Sequence, residues 1–241
     1  MTRSKIQIRI AVLALVGFIP AGLAARASAQ TNVDPTDKYA WGENIGWTNW
    51  HDANGGTQGA DIGSTFMSGF LWGENIGWIS LGDGTPAGGV NYSNGFGVDA
   101  GVNIDADGTL HGLAWGENVG WINFDGGAMA TPPKPARIEC AVPPGLPLAR
   151  LSGFVWGENV GWINLEVLVH HVSVDAVTTP VECDTNHDGS VDGGDVQSFI
   201  DYLLLNATPD WRDVCSGDVE APPDKMIDFD DVANFVACLL A

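Results

Sequence analysis

Hydrophobic and polar positions alternate over most of the chain between residues 31 and 179. Short alternating stretches such as residues 101–105 (GVNID) are separated by turn signals such as Asn54-Gly55, and no helical period is present. This pattern predicts an almost entirely β region. Residues 131–147 carry six prolines, which predicts a long loop there and not a central strand.

One seven-residue pattern, WGEN followed by Ile or Val and GW, recurs four times within this region. The copies begin at Trp41, Trp72, Trp115 and Trp156, separated by 31, 43 and 41 residues. A period of this size indicates an array of supersecondary units. Each unit reads as a three-stranded meander. The first copy lacks its opening strand, which residues 169–177 (VHHVSVDAV) are predicted to supply.

The spacing inside the motif predicts a tryptophan pair. If residues 117–119 form a three-residue hairpin loop, Gly116 faces Gly120 and Trp115 lies directly opposite Trp121. Such a pair contributes about 0.5–1.5 kcal/mol beyond its buried area, and the glycines let the rings cover the backbone. The favoured interpretation is structural, with buried indole pairs sealing units too small to hold their own core. Propeller, solenoid and sandwich arrangements all stay open.

Two functional interpretations of the motif compete with the structural one. Exposed indoles would offer flat platforms for sugar rings, with the repeated glutamates as polar partners. Catalysis by those glutamates, as in glycoside hydrolysis, needs two carboxylates in unlike environments, whereas the repeats supply equivalent ones. The sequence therefore predicts no enzyme. The repeated glutamates are Glu43, Glu74, Glu117 and Glu158.

The repeats resemble the tryptophan-rich WGEN or WSEN repeats of secreted bacterial proteins. The resemblance covers residues 39–165 and implies a β-repeat structure, without implying an activity.

The N-terminus has the pattern of a cleaved secretory signal at residues 1–29. Arg3, Lys5 and Arg9 precede an apolar run at residues 10–19, and Ala-Ser-Ala stands at 27–29. The run is about half the ~20 residues that span a bilayer, so no membrane span is predicted. Cleavage would move the formal charge from −20 to −24 by removing four basic residues. We therefore expect a secreted protein, extracellular or at the cell surface, with no nucleic-acid partner.

The composition changes after Pro180. Residues 181–241 carry 14 acidic side chains against two basic ones, Arg212 and Lys225, which suggests bound cations. Four cysteines in a secreted chain predict two disulfides, and three pairings are possible. The cysteines are Cys140, Cys183, Cys215 and Cys238.

Residues 184–195 have the spacing of a calcium loop. Oxygen-bearing residues alternate along it, and Gly189 stands where the loop turns sharply. Calcium takes six to eight oxygen ligands at roughly 2.3–2.6 Å, which short alternating acidic side chains can supply. The predicted ligands are Asp184, Asn186, Asp188, the carbonyl of Ser190, Asp192 and Asp195.

A second loop-helix unit follows the first. The segments DVQSFIDYLL from Asp195 and DVANFVACLL from Asp231 share their apolar pattern at an offset of 36 residues, which predicts two helices packed face to face. The loop before the second helix is two residues longer and has Lys225 in place of glycine, so we expect weaker binding there. Its predicted ligands are Asp218, Glu220, Asp224, Asp228 and Asp231.

Residues 182–241 resemble a type I dockerin or a closely related duplicated EF-hand-like unit. The resemblance implies two calcium ions, an all-α fold and docking onto a cohesin. It also implies that the ends of the unit lie together, so that Cys183 pairs with Cys238, leaving Cys140 for Cys215. Gly193 and Gly194 stand where the family usually carries recognition side chains, a departure that argues against a cohesin partner.

Together these patterns predict a mainly β repeat domain of four WGENxGW hairpin or meander units at 31–177, followed by a small all-α calcium-binding loop-helix pair at 181–241. The predicted function is that of a secreted, non-enzymatic structural or adhesion protein. Its dockerin-like segment would attach it to an extracellular protein partner or a polysaccharide. The alternative is a carbohydrate-binding protein or a component of a polysaccharide-degrading enzyme. Exposure of the tryptophans and glutamates discriminates between the two.

Overall fold

The computed structural model describes residues 31–95, 98–140, 149–167, 170–175, 180–221 and 223–241. The predicted signal sequence, residues 1–29, lies outside the described residues. The strands are β1 Val33–Gly42, β2 Gly46–Asn49, β3 Ala60–Ile62, β4 Met67–Gly73, β5 Gly77–Gly82, β6 Val102–Ile104, β7 Leu110–Gly116, β8 Gly120–Asn123, β9 Arg137–Glu139, β10 Arg150–Ser152, β11 Phe154–Gly157, β12 Gly161–Asn164, β13 Glu166–Val167 and β14 His170–Val174. The helices are α1 Ala53–Gly56, α2 Asp195–Leu203, α3 Trp211–Gly217 and α4 Val232–Leu239, with a 3-10 helix at Phe124–Met129.

Each copy of the tryptophan motif forms a β-hairpin. In all four hairpins the first tryptophan lies directly opposite the second, and the two glycines lie opposite each other, so the predicted register is confirmed. The tryptophan pairs are Trp41 and Trp47, Trp72 and Trp78, Trp115 and Trp121, and Trp156 and Trp162.

The four hairpins close into an eight-stranded antiparallel barrel with additional strands. Strands β2 and β4, β5 and β7, and β8 and β11 pair between consecutive hairpins. The fourth hairpin then pairs with the first, with Trp41 opposite Asn164 and Gly42 opposite Ile163. The predicted fold class is therefore wrong in its first part. Hydrogen bonds join every hairpin to both neighbours, which closes the array into a ring.

The second part of the predicted fold class, a small all-α pair, is also wrong. The C-terminal segment has a third helix, α3, whose Trp211 is buried in the same hydrophobic cluster as the barrel strands. The indole Nε1 of Trp211 donates to the carbonyl of Gly63 at 2.8 Å, and a disulfide joins Cys215 to Cys140 beside β9. The helices thus complete the core of a mostly β structure.

Outer strands extend the barrel strands beyond the hairpins. Strands β3, β6 and β9 pair with β4, β7 and β10, which gives the second, third and fourth copies their predicted opening strand. For the first copy, β14 pairs with β1. The prediction that the segment around residues 170–174 supplies the missing strand is confirmed.

The barrel interior is filled mostly with small and branched side chains, together with the aromatic rings of Trp50 and Phe124. An eight-stranded barrel has an interior just wide enough for side chains, and the residues described leave a residual space of about 10 Å³ there. Ligands therefore have to bind elsewhere. The residues flanking each tryptophan pair point inward and are buried: Ala40, Leu71, Ala114 and Val155 on the first strands, and Thr48, Ile79, Ile122 and Ile163 on the second strands.

Both glycines of the motif are required by the hairpin tips. A Cβ on Gly42 would lie 2.6 Å from Cγ1 of Ile45, the buried tip residue that covers this end of the barrel. Gly46 has φ +73°, and its equivalents have φ between +75° and +80°, a conformation that L side chains rarely adopt. The presence of both glycines in all four copies therefore follows from the geometry of the closed barrel.

The motif asparagines link the four tips into a ring. Each side-chain amide donates to the backbone carbonyl of the Ile or Val at the tip of the preceding hairpin, and Asn44 of the first hairpin donates to Val160 of the fourth. Closure of the barrel thus explains the asparagine in every copy. The distances are 3.1 Å for Asn44, 3.2 Å for Asn75, 3.0 Å for Asn118 and 2.9 Å for Asn159.

The disulfides join Cys140 to Cys215 and Cys183 to Cys238, so the predicted pairing is confirmed. Two disulfides indicate an oxidising environment. Phe199 of α2 and Phe235 of α4 stack with ring centroids 3.8 Å apart, as the duplicated apolar pattern predicts. In the described part of the chain no helix is long and apolar enough to cross a membrane.

Candidate ligand grooves and acidic loops

The motif tryptophans lie on the outer surface of the barrel. Seven of the eight are between 36% and 45% exposed, with Trp115 the most exposed at 45%. The expectation of buried indole pairs is therefore wrong. We call the eight indoles of the four hairpins the tryptophan belt.

In the second, third and fourth hairpins, the paired indoles support each other by edge-to-face contact. The ring centroids are 5.0 Å apart for Trp72 and Trp78, and 4.6 Å apart for Trp115 and Trp121, with interplanar angles of 77° and 67°. Edge-to-face contact is a preferred arrangement of aromatic rings. Each pair therefore holds its indoles in a fixed orientation while leaving ring surface open to solvent.

Groove A lies between the first and second hairpins and has a volume of about 470 Å³. Trp47 comes from one hairpin, and Trp72 and Glu74 come from the next. The carboxylate Oε2 of Glu74 also accepts from the backbone N–H of Trp47 at 3.4 Å. The lining residues are Tyr39, Trp47, Asn49, Trp72, Glu74 and His170.

Groove B is the equivalent space between the second and third hairpins, with a volume of about 380 Å³. It repeats the pattern of a second-strand tryptophan, a first-strand tryptophan and a glutamate. Its other polar groups are amides and a hydroxyl. The lining residues are Asn54, Gln58, Phe70, Trp78, Ser80, Trp115 and Glu117.

Groove C adjoins groove B and has a volume of about 470 Å³. Trp115 and Ser80 line both grooves, so the indole of Trp115 stands as a ridge between them. Hydrogen bonds from the backbone N–H groups of Ser93 and Ala87 lower the pKa of Asp99, which keeps it a charged acceptor at the far side. Groove C is lined by Ser80, Gly82, Asp83, Asp99, Ala100, Leu113, Trp115 and Trp121.

Sequence reasoning identified the tryptophans and glutamates of the grooves but missed several aromatic neighbours. Tyr39 and Phe70 each precede a motif tryptophan by two residues and share its face of the strand. This spacing of two residues is the sequence signal that could have identified Tyr39 and Phe70 as groove residues. His170 comes from the last outer strand, and no local pattern points to its place in groove A.

The first predicted calcium loop folds around its two end carboxylates. Asp184 accepts from the backbone N–H groups of Asp188 at 3.2 Å and Gly189 at 2.9 Å. Asp195 accepts from Asn186 at 3.1 Å and from the backbone of Asp192 at 2.9 Å. Gly189 has φ +87°, as the predicted sharp turn requires. Ser190 donates its N–H to Asp188 within the same loop.

The second predicted loop brings three of its acids together. Among the described residues, Asp218, Glu220 and Asp224 can place one carboxylate oxygen each within 4.8 Å of one another. Asp218 Oδ1 is buried without a hydrogen-bond partner in the described structure. The carboxylate of Asp231 accepts from backbone N–H groups of the loop, including that of Asp228 at 2.8 Å. This hydrogen bond holds the C-terminal end of the loop together. A divalent cation fits this set of oxygens.

Mutual repulsion adds to the case for a cation at the second loop. Burial raises the pKa of Asp218, and the charges of Asp231 and Asp224 raise it further. Desolvation and the charges of neighbouring aspartates, Asp224 first, raise the pKa of Glu220. Burial is the larger cause of both shifts, and ionised carboxylates this close together also repel one another. A bound cation would relieve that repulsion.

Lys225 occupies the turn of the second loop that Gly189 occupies in the first. Its φ is +72°, a left-handed conformation that is costly for lysine. Its backbone N–H donates to Asp218 at 2.6 Å, and its ammonium lies 3.4 Å from Glu139 of β9. The positive charge thus contacts the outer strand β9.

His111 outside the grooves gives a pH-dependent contribution to stability. Its ring lies 2.9 Å from Asp105 and 2.7 Å from Asp125. Burial lowers the pKa of His111, but the hydrogen bond to Asp125 and the charge of Asp105 outweigh it, and the pKa is raised above 6.5. The stabilisation is complete below the unfolded pKa and is lost as pH rises through the folded pKa.

We therefore expect His111→Gln to reduce the free energy of unfolding more at about pH 5.5 than at about pH 8.5. Urea unfolding of both proteins at the two pH values measures the difference. His51→Gln is the matched control. An equal loss at both pH values would contradict the assigned ion pairs.

Comparison of the chain with protein-family models, curated proteins and solved structures finds no match.

Proposed function

We propose that the protein is a secreted, non-enzymatic binding protein that binds carbohydrate through the part of its tryptophan belt that lines grooves B and C. One observation carries the proposal. Closure of the barrel explains the glycines, asparagine and tip residue of the motif, but it requires neither the outward tryptophans nor the outward glutamate. All four copies keep both, and five of the eight tryptophans and two of the four glutamates line open grooves.

The chemistry of grooves B and C suits a sugar. A pyranose ring has apolar C–H faces and hydroxyl edges, so it needs flat apolar surface with hydrogen-bonding groups at the side. The indoles of Trp78 and Trp115 supply the surface. Asn54, Gln58 and Glu117 line the same groove and offer amide and carboxylate partners for hydroxyl groups.

The ridge formed by Trp115 favours a chain of sugars over a single ring. Because its indole lines both grooves, consecutive residues of a polysaccharide would lie on either side of it. The exposure of the belt supports this carbohydrate-binding reading over a purely structural role. The repeated glutamates occupy equivalent hairpin tips, which supports binding and not acid–base catalysis.

The proposal is tested by a glycan array on the full protein, followed by calorimetry with the best oligosaccharide. We expect Trp115→Ala to weaken binding by at least about tenfold, because it removes the surface shared by both grooves. Trp162→Ala, a similarly exposed indole on another hairpin, is the control and should leave the affinity unchanged. Circular dichroism verifies folding. No binding of any glycan, or equal losses in both variants, would refute the proposal.

We also propose that the acidic C-terminal loops bind calcium and thereby stabilise the segment that would attach the protein to its extracellular surroundings. The support is the loop geometry around Asp184 and Asp195 and the clustered oxygens of Asp218, Glu220 and Asp224. These are oxygen ligands, which hard cations prefer. Bound calcium would neutralise part of the repulsion between these acids.

Calcium is expected to raise the free energy of unfolding by about 2.7 kcal/mol at a free concentration 100 times Kd. Calorimetry should show two unequal sites, with Asp184→Ala removing the tighter one and Asp218→Ala the weaker one. The weaker affinity follows from the longer loop and from the strained Lys225.

The matched control for calcium is Asp201→Asn, which removes the charge of an acid on helix α2 outside the predicted ligand set. It should leave both calcium affinities unchanged. A protein whose stability is indifferent to chelator, or a control variant that loses as much affinity as Asp218→Ala, would contradict the calcium proposal.

A further inference from the structure

Groove A has a feature that separates it from grooves B and C: three aromatic rings that stand nearly perpendicular to one another. Ring centroids are 6.3 Å apart for Tyr39 and Trp47, at an interplanar angle of 71°. They are 5.1 Å apart for Trp47 and His170, at 79°, and 6.4 Å apart for Tyr39 and His170, at 89°. The rings form three mutually angled walls.

The neighbouring hairpin contributes two more side chains to groove A. Trp72, 40% exposed, and Glu74 line the same space of about 470 Å³. The groove therefore combines four aromatic rings with one carboxylate. Aromatic faces carry negative partial charge, and Glu74 adds a full negative charge at the rim.

We propose that groove A is a binding site for a quaternary ammonium group. Such a cation has no N–H to donate, so hydrogen bonds cannot hold it. Its charge is spread over methyl groups that pack against indole and phenol faces, where each cation–π contact contributes about 0.5–2 kcal/mol. Perpendicular aromatic walls around a single space are the arrangement that surrounds a tetrahedral cation.

The charges around the groove are compatible with a cationic ligand. Lys38 lies 5.6 Å from the centroid of the Tyr39 ring, but its ammonium is paired with Asp52 at 2.8 Å. His171, next to His170, faces Asp37 at 3.6 Å. The protein as a whole carries a formal charge of −20, which attracts cations to its surface.

Groove B serves as an internal comparison. It has an edge-to-face contact between Phe70 and Trp78, with centroids 6.4 Å apart, but no histidine and two amide side chains among its lining residues. The amide side chains of groove B favour a ligand with hydroxyl groups, because they can form hydrogen bonds with them. The two grooves are thus proposed to take different ligand chemistries, and the cation site does not depend on glycan binding.

The decisive experiment compares choline with 3,3-dimethyl-1-butanol, which has carbon in place of the charged nitrogen and nearly the same shape. We expect choline to bind the full protein at least about tenfold more tightly in calorimetric titration. Ethanolamine, a primary ammonium with a costlier hydration shell, should bind more weakly than choline. Equal binding of choline and its neutral isostere, or no choline binding at millimolar concentration, would overturn the proposal.

Variants then place the site. Trp47→Ala, His170→Ala and Glu74→Gln should each weaken choline binding by about fivefold or more. Trp115→Ala, in groove B, should leave it unchanged. If Trp47→Ala does not fold, the test rests on the other two variants. His170 lies in an outer strand, and glutamine has nearly the same shape as the Glu74 side chain that it replaces. A loss in Trp115→Ala as large as in the groove A variants would place the cation elsewhere and refute the proposal.

Discussion

Trp211→Ala is expected to lower the free energy of unfolding by about 3–5 kcal/mol, the usual cost of deleting a large buried aromatic side chain. The indole is 1% exposed and belongs to the hydrophobic cluster of the barrel. Removing it leaves a cavity between helix α3 and the strands. It also leaves the Gly63 carbonyl without the hydrogen bond it accepts at 2.8 Å.

Two further variants separate these contributions. Trp211→Phe keeps most of the packing but loses the indole N–H, so it should cost about 0.5–1.5 kcal/mol, the net contribution of one hydrogen bond, because the Gly63 carbonyl is only partly buried. Trp162→Ala removes an indole that is 38% exposed and should cost less than Trp211→Ala. Urea unfolding followed by circular dichroism measures all three. If Trp211→Ala costs no more than Trp162→Ala, the helix does not complete the barrel core.

Local features of the fold were predictable because they depend on near neighbours in the sequence. The spacing between Trp115 and Trp121 fixes a three-residue loop, and the register follows from it. The alternating stretch around residues 170–174 predicts a strand, and the first copy of the motif lacks its opening strand. The pairing of β14 with β1 follows from these two observations.

The face of the tryptophans was not predictable from the same pattern. A period of two places Trp41 and Trp47 on one face and their neighbours Ala40 and Thr48 on the other, but it does not say which face is buried. Because the indoles are the larger apolar side chains, they would be expected to lie in the core. A closed eight-stranded barrel reverses that choice, because its narrow interior already holds Trp50 and Phe124 beside alanine, threonine and branched aliphatics, and leaves no room for eight more indoles.

Closure of the barrel depends on contacts between residues that are far apart in the sequence. Strand β1 pairs with β12, and Asn44 donates to Val160, 116 residues away. No local pattern records such a partner. For the same reason the sequence identified Trp47 and Glu74 as candidate ligand groups but not the approach of His170 from β14.

Bends where barrel strands leave the ring depend on glycines with left-handed backbone. Gly69, Gly112 and Gly153 each stand three residues before a motif tryptophan and have φ between +83° and +93°. At each, a Cβ would meet a carbonyl oxygen of an adjacent segment. The glycines thus allow a barrel strand and its outer extension to pack closely against the neighbouring chain.

Gly153→Ala is therefore expected to destabilise the protein by about 3 kcal/mol, combining a left-handed alanine at about 1–2 kcal/mol with displacement of backbone that cannot rotate away. A Cβ at Gly153 would contact the Pro135 carbonyl and lie 3.0 Å from the backbone N of Ala136. Gly89→Ala is the matched control, because Gly89 has φ +74° with nothing within 4 Å of the added Cβ. Urea unfolding should show a loss of about 1 kcal/mol for the control, from the dihedral alone. Equal losses in the two variants would mean that the close approach of Gly153, between β10 and β11, to residues 135–136 does not constrain the barrel.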